Sequence, residues 1–589
     1  MLPHETTAVG LIDRRAWRAA AAVFVAALAI YLPKTVNHFG YTFDDGPYIL
    51  QNSYLRSWSG ALGEFGRDQA RIYRPLRSLA LATLTGLFGQ DRALPFELAG
   101  MLFHAVCSAV FTLIVWWLAA DPPAALVAGL IFALHPVHAD RVANIMGSFD
   151  LLGLALGWTA WLLALTAVRG GRPRLAWGAG LAMLAGCFAS EEALMVVPLA
   201  ALSFVLWPAG AGETSAKGKD LARRHGGHGV RKASAKKHSW WRRFYALIFL
   251  AVAAGAYFAV RTHVLGGVAR HKAYPAGDLI NTIWTTSIVI WRYLGLLVFP
   301  VGLSMAYGPV IHTRPDALVL VALLGLIGLG AAALAAFRRA PLATMALGWF
   351  FLGLAPFSNL LPNDALMAER FLYAGLGGFA LAGGVLFAAL LRQRRKAASA
   401  VLAAILALYG AGVVTQCRAW GNPARLWTEA ATREPNSFLA TNQAASEMLM
   451  VQRLRDAERF SQQANRLDPR RPEPLLNLAV IAFADRKRDE GMRFLETAIR
   501  TAPGFGYSYD LLALRLSFDH DADGAAKAAA VAARLHPPGD PAREYVTALL
   551  LVSAGLCDQA APAIEAVLGT HPRAPEYSVT MALREKCRP

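Results

Sequence analysis

Residues 14–33, RRAWRAAAAVFVAALAIYLP, and the stretch that follows at 41–52, YTFDDGPYILQN, decide how the chain is organised. Three arginines precede the apolar run 19–33, and the positive-inside rule places such a basic end in the cytoplasm. The run could be taken for a signal peptide, but the many apolar runs after it favour a retained membrane anchor. Asp44 and Asp45 are therefore expected at the far surface of the membrane.

Two adjacent carboxylates at a membrane surface have a chemical and a structural interpretation. They can accept a proton from an acceptor group or hold a metal ion. Asp, Gly and Pro also favour turns, so the stretch 44–47 can be a solvated turn. Taken alone, the turn is the simpler interpretation, and the rest of the chain shifts the balance.

The composition is that of a multi-pass membrane protein. Of 589 residues, 56% are hydrophobic and only 17% are charged, with a mean hydropathy of +0.38. A soluble protein of this size carries more charge. The net charge of +18 then marks basic cytoplasmic loops and not a nucleic-acid-binding surface.

We predict eleven membrane-spanning helices. They lie at 19–33, 97–119, 124–137, 150–168, 174–189, 193–208, 245–263, 316–337, 342–360, 369–391 and 399–417. The short apolar segment 76–88 is expected to lie in the interface. The segment 282–300 contains Arg292, which is costly on a lipid-exposed helix, and crossing there would put two arginine-rich clusters outside. We therefore expect it to rest at the outer surface, with the C-terminal part of the chain outside.

The predicted topology separates the charges. The inner loops are basic, and the Gly-, Lys-, Arg- and His-rich loop 209–243 is expected to be cytoplasmic and disordered. The acidic residues at or near the outer face are Asp44, Asp45, Asp140, Asp150, Glu191, Glu192 and Glu369. A site at the outer membrane surface would look like this, although topology selection alone gives part of the pattern.

From about Arg418 the composition becomes that of a soluble helical repeat. Prolines recur at Pro435, Pro469, Pro503, Pro537 and Pro572, at intervals of 34, 34, 34 and 35 residues. This period is typical of the tetratricopeptide helix–turn–helix unit. Such units stack into a solenoid whose groove binds extended peptide. Alternatively, the solenoid only docks on the membrane domain or pairs with another copy.

The predicted fold is all-α: a polytopic membrane domain at 1–417 and a tetratricopeptide-repeat α-solenoid at 418–589.

With these parts placed, the chain resembles the transmembrane and tetratricopeptide-repeat-containing O-mannosyltransferase-like family of GT-C glycosyltransferases. The resemblance covers nearly the whole chain in the expected order. The matching residues are Phe43-Asp44-Asp45 with Ile49 and Asn52, Tyr73-Arg74-Pro75-Leu76, Phe103-His104-Ala105, Leu134-His135-Pro136-Val137-His138, residues 147–152, Glu192, residues 297–303, residues 356–360, Ala368-Glu369-Arg370 with residues 371–373, and residues 420–436.

The chain departs from the family's pattern at four positions. Arg141 stands where the resemblance predicts Ala, and Ser148 and Asp150 stand where Arg and Glu are expected. Glu191 stands where Lys is expected. These departures bear on the donor or the acceptor more than on the reaction class.

The resemblance implies an inverting GT-C glycosyltransferase that depends on a polyprenyl-phosphate sugar. It would move mannose or another hexose to an acceptor hydroxyl, expected to be a protein Ser or Thr, at the outer face of the membrane. The basic interior loop and the absence of a eukaryotic targeting signal favour a bacterial inner-membrane protein with a cytoplasmic N-terminus and periplasmic repeats. The expected partners are the lipid-linked donor, a protein or peptide bound by the repeats, and membrane lipids, with no nucleic acid.

This chemistry needs a carboxylate that accepts the hydroxyl proton, cations that stabilise the departing phosphate, and a groove for the lipid. Asp44 and Asp45 are the candidate bases. Arg370 is the first candidate for the donor phosphate, because a guanidinium binds phosphate oxygens in a bidentate manner; Arg74 and Arg292 come second. The supporting residues expected around them are Glu369, His135, His138, Asp140 and Glu192.

The sequence predicts no definite cofactor, but some of these residues could bind a divalent cation. One possible set of metal ligands is His135, His138 and Asp140, and another is Asp45, His138 and Asp140. A His-Pro pair at a helix end, however, is more often structural. In the repeat domain, Cys557 and Cys587 can form a disulfide in an outer compartment.

Two other classes of protein stay open at the level of sequence. One is a non-catalytic membrane adaptor whose repeats recruit partners, for which Asp44 and Asp45 would be dispensable. The other is a lipid-linked glycan ligase or polymerase without a protein acceptor.

Overall fold

A computed structural model describes most of the chain. The described residues are 13–36, 44–50, 52–66, 72–90, 92–207, 228–267, 273–360, 362–363, 365–536, 548, 552, 557–568, 580–581, 584–585 and 587. The named elements of this part of the chain are all helices, which confirms the predicted all-α class.

The first part of the chain is a bundle of apolar helices. Its longer α-helices are Arg14–Ile30, Pro75–Phe88, Ala93–Ala119, Pro122–Leu134, Leu151–Gly170, Pro173–Ala189, Val196–Leu206, His228–Leu265, Leu279–Val298, Ala317–Ala336, Pro341–Leu354, Leu372–Gln393 and Arg395–Trp420. Short helical segments connect them at Leu32–Val36, Gly46–Leu50, Ser53–Arg56, Trp58–Gly63, Glu64–Gly66, Pro136–His138, Ala139–Ala143, Ile145–Phe149, Glu191–Met195, Ala355–Phe357 and Glu369–Phe371.

Each predicted span coincides with an apolar helix, but fewer than eleven are long enough to cross a membrane. Seven described helices qualify by length and composition, or eight if the pair at 122–134 and 136–143, bent by 47°, is one span. Val196–Leu206 has 11 residues, about 17 Å against a hydrocarbon core of about 30 Å. Leu279–Val298, which carries Arg292, is not among the seven; that it rests at the outer surface stays a prediction.

Aromatic rings and small residues pack the bundle. The rings of Phe111 and Phe132 lie 4.6 Å apart, and those of Trp161 and Trp349 lie 4.7 Å apart. A Cβ added at Gly384 would lie 2.4 Å from the carbonyl oxygen of Ala124. Two helices therefore meet there backbone to backbone, as small residues allow between membrane helices.

The helix His228–Leu265 begins inside the loop 209–243 that the sequence predicts to be disordered. Ala, Lys and Arg, which are frequent from 228 onwards, are good helix formers, so the apolar span extends backwards into the basic stretch. The first part of the predicted loop, up to residue 227, lies outside the described residues.

The last part of the chain repeats a helical hairpin. The paired helices are Phe438–Met450 with Leu454–Leu467, Glu473–Ala484 with Arg488–Thr501, and Gly506–Phe518 with Ala522–Leu535; Pro423–Arg433 precedes them. The turns within the hairpins contain Gln452, Arg486 and His520, which have φ values of 57°, 61° and 62°. These left-handed residues recur at the spacing predicted from the prolines, which confirms the tetratricopeptide period.

Cys557 and Cys587 are joined by a disulfide, as the sequence suggested. Their Cα atoms lie 5.3 Å apart, within the usual range for such a bond.

Polar contacts and shape complementarity fix the first repeat to the bundle. The carboxylate of Glu434 accepts a hydrogen bond from the backbone N–H of Gly308 at 3.3 Å and pairs with Arg292. The guanidinium of Arg433 donates to the carbonyl oxygen of Leu303 at 2.5 Å. A Cβ on Gly308 would lie 2.5 Å from the backbone nitrogen of Ser437, so only glycine allows this approach.

Candidate active site

A cavity of about 1140 Å³ lies where the bundle meets the first repeat. On the bundle side, its polar lining includes Asp44, Tyr48, Arg74, Arg77, Arg141, Asn144, Asp150, Glu191, Glu192, Arg261, Tyr307 and Arg370. On the repeat side, it is lined by Asn436, Ser437, Phe438, Leu439, Asn442, Gln443, Arg471 and Glu473. Pockets for one small ligand usually measure about 300–1,000 Å³, so this cavity has room for parts of two substrates.

The structure distinguishes the two candidate bases. Asp44 lines the cavity and is partly exposed. Asp45 is buried, and its carboxylate accepts a hydrogen bond from the backbone N–H of Met146 at 3.0 Å. Because Met146 itself lines the cavity, Asp45 holds the wall of the site while Asp44 faces its interior.

Arg74 is held in place by two carboxylates. Its Nε and Nη2 atoms donate to the two oxygens of Glu191 at 2.8 and 2.7 Å, and its Nη1 atom donates to Asp150 at 2.7 Å. This is the forked geometry in which a guanidinium binds a carboxylate most strongly. Arg74 comes from the loop before the helix Pro75–Phe88, so the pairs tie that loop to two distant parts of the bundle.

The charges of this group shift the pKa values of its members. Burial opposes ionisation of Glu191, but the charge and hydrogen bonds of Arg74 outweigh it and hold the pKa of Glu191 below its ordinary value. Burial likewise opposes the charge on Arg74, and the carboxylates of Asp150 and Glu191 raise the pKa of Arg74 above its ordinary value. Both groups are therefore charged at neutral pH.

Three of the four departures from the family pattern belong to this one network. Asp150 also pairs with Arg77 at 3.0 Å and with Arg141 at 3.4 Å, and Arg141 pairs with Glu192. Arg141, Asp150 and Glu191 thus compensate one another's charges. Mutual pairing lowers the cost of burying Arg141 and Asp150 as ions.

Arg370 lies at the cavity beside the buried Asp140. Its backbone N–H donates to Asp140 at 2.9 Å, and its guanidinium lies 3.6 Å from the same oxygen. The side chain keeps 22% of its surface exposed, more than the 10% of Arg74. Of the two predicted phosphate ligands that line the cavity, Arg370 is therefore more accessible to a ligand than Arg74.

Glu369 is buried next to Arg370 and stabilises the wall of the cavity through hydrogen bonds. Its carboxylate accepts hydrogen bonds from the hydroxyl of Tyr307 and the backbone N–H of Ser304, both at 2.6 Å. Burial, together with the nearby carboxylate, raises the pKa of Tyr307, so the phenol stays protonated and donates. Glu369, which directly precedes Arg370, thereby connects this segment to the loop that contains Ser304 and Tyr307. The same loop contains Gly308, which contacts the first repeat.

Several predicted site residues lie outside the described lining of the cavity. Arg292 pairs with Glu434 and lies 4.7 Å from the ring centre of Tyr307, so it fastens the repeat and does not reach the candidate phosphate site. His135 contacts the carbonyl oxygen of Leu297 at 3.0 Å. The buried ring of His138 stacks on Tyr373, with ring centres 4.2 Å apart.

The candidate metal ligands do not converge. Among the described residues, no group of three or more His, Cys, Asp or Glu side chains has a geometry that could hold a metal ion. The Oδ2 atom of Asp140 contacts Arg370 instead. The residues present therefore do not fit the metal site that the sequence left open.

Several residues that line the cavity were not predicted from the sequence. Arg77 lies in the same basic segment as Arg74, three positions further on, so the sequence carried a signal for it. Arg261 and Asn442 carry no such local signal. They reach the cavity only through the packing of the helix His228–Leu265 and of the first repeat.

Fold and cavity together define a class: a multi-pass α-helical membrane protein whose tetratricopeptide repeats close a cavity rich in arginine and carboxylate. The chain is similar to protein O-mannosyl-transferases, which confirms the resemblance inferred from its motifs. Human protein O-mannosyl-transferase TMTC3 is 30% identical over 148 residues, 23% of this chain and 16% of that protein. Protein O-mannosyl-transferase Tmtc2 of Drosophila melanogaster is 30% identical over 202 residues, 31% of this chain and 21% of that protein. The chain thus matches less than a quarter of the length of either relative.

Other comparisons add little. No protein-family model matches the chain. The crystal structure of yeast Tom70 has 13% identity and a TM-score of 0.23, covering 78% of this chain and 85% of that one. The APC/C hetero-tetramer Cut9–Hcn1 has 13% identity and a TM-score of 0.26, covering 92% and 98%. TM-scores this low carry no weight for the fold.

Proposed function

We propose that this protein is an integral-membrane glycosyltransferase that moves mannose or another hexose from a polyprenyl-phosphate donor to a Ser or Thr hydroxyl of a protein. One observation carries the proposal: the carboxylate of Asp44, a cluster of guanidinium groups and the repeat surface line a single cavity. The names of the relatives support mannosyl transfer to protein.

In the proposed reaction, Asp44 is the base. The acceptor oxygen forms a bond to the anomeric carbon while the bond from that carbon to the phosphate oxygen breaks, with inversion. The hydroxyl proton goes to Asp44, and the polyprenyl phosphate leaves. Asp45 holds the segment at Met146, which lines the same cavity.

The charge of the cavity suits a monophosphate donor. The described lining has six arginines and five carboxylates, a formal excess of one positive charge. A sugar phosphodiester carries about one negative charge, and the departing phosphate carries up to two. Protonation of Asp44 removes one carboxylate charge at the same step, so the positive excess grows together with the negative charge of the leaving group. Arg370 is the proposed first contact to that phosphate, with Arg74 behind it.

The proposed location is the outer face of a bacterial inner membrane, with the membrane domain at 1–417 and the repeat domain at 418–589. The three arginines before the first span favour a cytoplasmic N-terminus. The disulfide between Cys557 and Cys587 supports repeats in an oxidising compartment. The shared cavity supports Asp44 and the repeats on the same side of the bundle.

The test is sugar transfer by the purified full-length protein in lipid nanodiscs. Radiolabelled polyprenyl-phosphate mannose, a diphosphate-linked oligosaccharide and a sugar nucleotide are each offered with a Thr-containing peptide or with a soluble glycan. We expect sugar on the peptide from the monophosphate donor alone. Transfer to glycan only would favour a glycan ligase, and no transfer from any donor would favour an adaptor.

A further inference from the structure

We propose that Asn144 binds the hexose of the donor, and that its side-chain nitrogen donates a hydrogen bond to one hydroxyl oxygen of that sugar. The inference rests on the proposed function, because it gives the transferred sugar a place in the cavity. It adds a binding residue to the reaction, and it predicts that the site selects for one sugar hydroxyl.

The first observation is that a helix cap fixes the orientation of the Asn144 amide. Asn144 precedes the short helix Ile145–Phe149, and its side-chain oxygen accepts a hydrogen bond from the backbone N–H of Gly147 at 2.9 Å. A Cβ added at Gly147 would lie 3.2 Å from the Cγ atom of Asn144, so glycine leaves room for this close turn. Because the cap holds the oxygen, the nitrogen of the same amide points away from that N–H group.

The second observation is that this nitrogen has no partner in the described part of the protein. Asn144 lines the cavity and is only 3% exposed. No described residue accepts a hydrogen bond from its side-chain nitrogen, yet this nitrogen is not among the unpaired polar atoms that are closed off from solvent. Polar groups in buried positions are nearly always paired, and a side-chain amide carries two N–H donors. Asn144 can therefore donate to a ligand in the cavity, in an orientation that is set before the ligand binds.

The third observation is that Asn144 belongs to the wall that carries the proposed base. The carboxylate of Asp45 accepts a hydrogen bond from the backbone N–H of Met146 at 3.0 Å, which joins the segment of Asp44 to that of Asn144. Tyr48 follows Asp44 by one turn, since its backbone N–H donates to the carbonyl oxygen of Asp44 at 3.1 Å, and it lines the same cavity. An aromatic residue and one oriented amide are typical of ligand sites, in which apolar surface surrounds a few placed polar groups.

The chemistry of this wall favours the sugar over the phosphate. The proposed phosphate contact, Arg370, is a cation, whereas the amide of Asn144 is neutral and suits a neutral hydroxyl oxygen. In the proposed reaction the attacking oxygen contacts both the anomeric carbon and the carboxylate of Asp44. The hexose is thus the part of the donor that comes to lie against the wall shared by Asp44 and Asn144.

The test measures donor binding apart from sugar transfer. The probe is a phosphonate analogue of farnesyl-phosphate mannose, which cannot release its sugar, titrated by calorimetry into full-length protein in nanodiscs without peptide. Asn144→Ser removes the amide, and Ser caps helices about as well as Asn does. Asn422→Ser makes the same change at another capping Asn, which lies outside the described lining. We expect the Kd to rise roughly threefold to tenfold for Asn144→Ser, the loss of about one hydrogen bond, and to stay unchanged for Asn422→Ser.

Analogues that each lack one sugar hydroxyl identify the contact. One of them should bind wild type more weakly, and should bind Asn144→Ser as well as the complete analogue does, because the two changes remove the same hydrogen bond. Farnesyl phosphate without sugar should bind wild type and both variants equally. An unchanged Kd for Asn144→Ser, an equal loss for Asn422→Ser, or an equal loss in the binding of farnesyl phosphate would overturn the inference.

The proposed function can fail separately from this inference. Binding that depends on Asn144 and on one hydroxyl, in a protein that transfers no sugar to peptide, would support the subsite and refute the proposed function. Peptide mannosylation without any dependence of donor binding on Asn144 would refute the subsite and support the proposed function.

Discussion

Replacing Lys34 with Met removes the cation of an ion pair that the bundle buries completely. The ammonium nitrogen of Lys34 lies 2.5 Å from the carboxylate of Glu97, with 0% and 1% of the two side chains exposed. The same nitrogen donates to the carbonyl oxygen of Val142 at 2.5 Å. Val142 lies four residues before Met146, whose backbone N–H donates to Asp45, so Lys34 also supports the wall of the cavity.

The expected loss of stability is large for either single change and smaller for the pair. Removing one partner of a buried ion pair costs about 3–5 kcal/mol, because the other charge stays buried without compensation. In Lys34→Met with Glu97→Leu both charges are gone, and the remaining cost is mainly the unpaired carbonyl of Val142, about 1–3 kcal/mol. The double variant should therefore be more stable than Lys34→Met alone.

The free energy of unfolding in bicelles, measured by steric trapping for wild type, both single variants and the double variant, checks this expectation. Single variants within about 1 kcal/mol of wild type would refute the buried pair, because an exposed pair contributes no more than that. A double variant equal to the sum of the singles would refute their coupling.

Three further predictions concern the repeat and the arginine network. Gly308→Ala should separate the first repeat from the bundle and cost about 1–3 kcal/mol in unfolding free energy, with a higher Km for peptide, measured by titration and transfer assays. Alkylation of Cys557 and Cys587 should require prior reduction, as judged by mass spectrometry of protein purified without reductant. Glu191 has a lowered pKa in the folded protein, compared with an unfolded pKa of about 4.5. Its stabilising contribution is therefore present above the unfolded pKa and is lost as pH falls through the lower folded value. Acid should thus destabilise wild type more than Glu191→Gln.

Each of these predictions has a matched control. Gly328→Ala makes the same change where an added Cβ meets nothing within 4 Å, so it should be neutral; equal effects at both glycines would contradict the docking contact. Thiols that react without reductant would contradict the disulfide. Identical pH profiles for wild type and Glu191→Gln would contradict the coupling between Glu191 and Arg74.

Local patterns in the sequence predicted the elements of the fold well. Apolar runs gave the positions of the bundle helices, and prolines at intervals of 34 residues gave a repeat that the turns at Gln452, Arg486 and His520 reproduce. The number of spans was less predictable, because hydrophobicity does not show that a helix such as Val196–Leu206 is too short to cross alone. Both patterns lie in the order of residues along the chain and do not depend on which helices pack together.

The site depends on contacts that no local pattern shows. Arg74 meets Asp150 and Glu191 across 76 and 117 positions of sequence. Arg292 has a still more distant partner, Glu434, 142 positions away. An arginine in an apolar helix therefore could not be assigned to the repeat interface beforehand. Asp44 was accessible to sequence reasoning because it follows a span directly.

The central claim is that the carboxylate of Asp44 accepts the proton of the attacking hydroxyl. The measurement is single-turnover transfer from polyprenyl-phosphate mannose to peptide by Asp44→Asn, with thermal stability recorded alongside. Asp278→Asn is the control, because Asp278 caps the helix Leu279–Val298 and Asn caps helices equally well. We expect Asp44→Asn to slow transfer by about 10²-fold or more with unchanged stability and Asp278→Asn to leave it unchanged. Full transfer by a stable Asp44→Asn variant would contradict the claim.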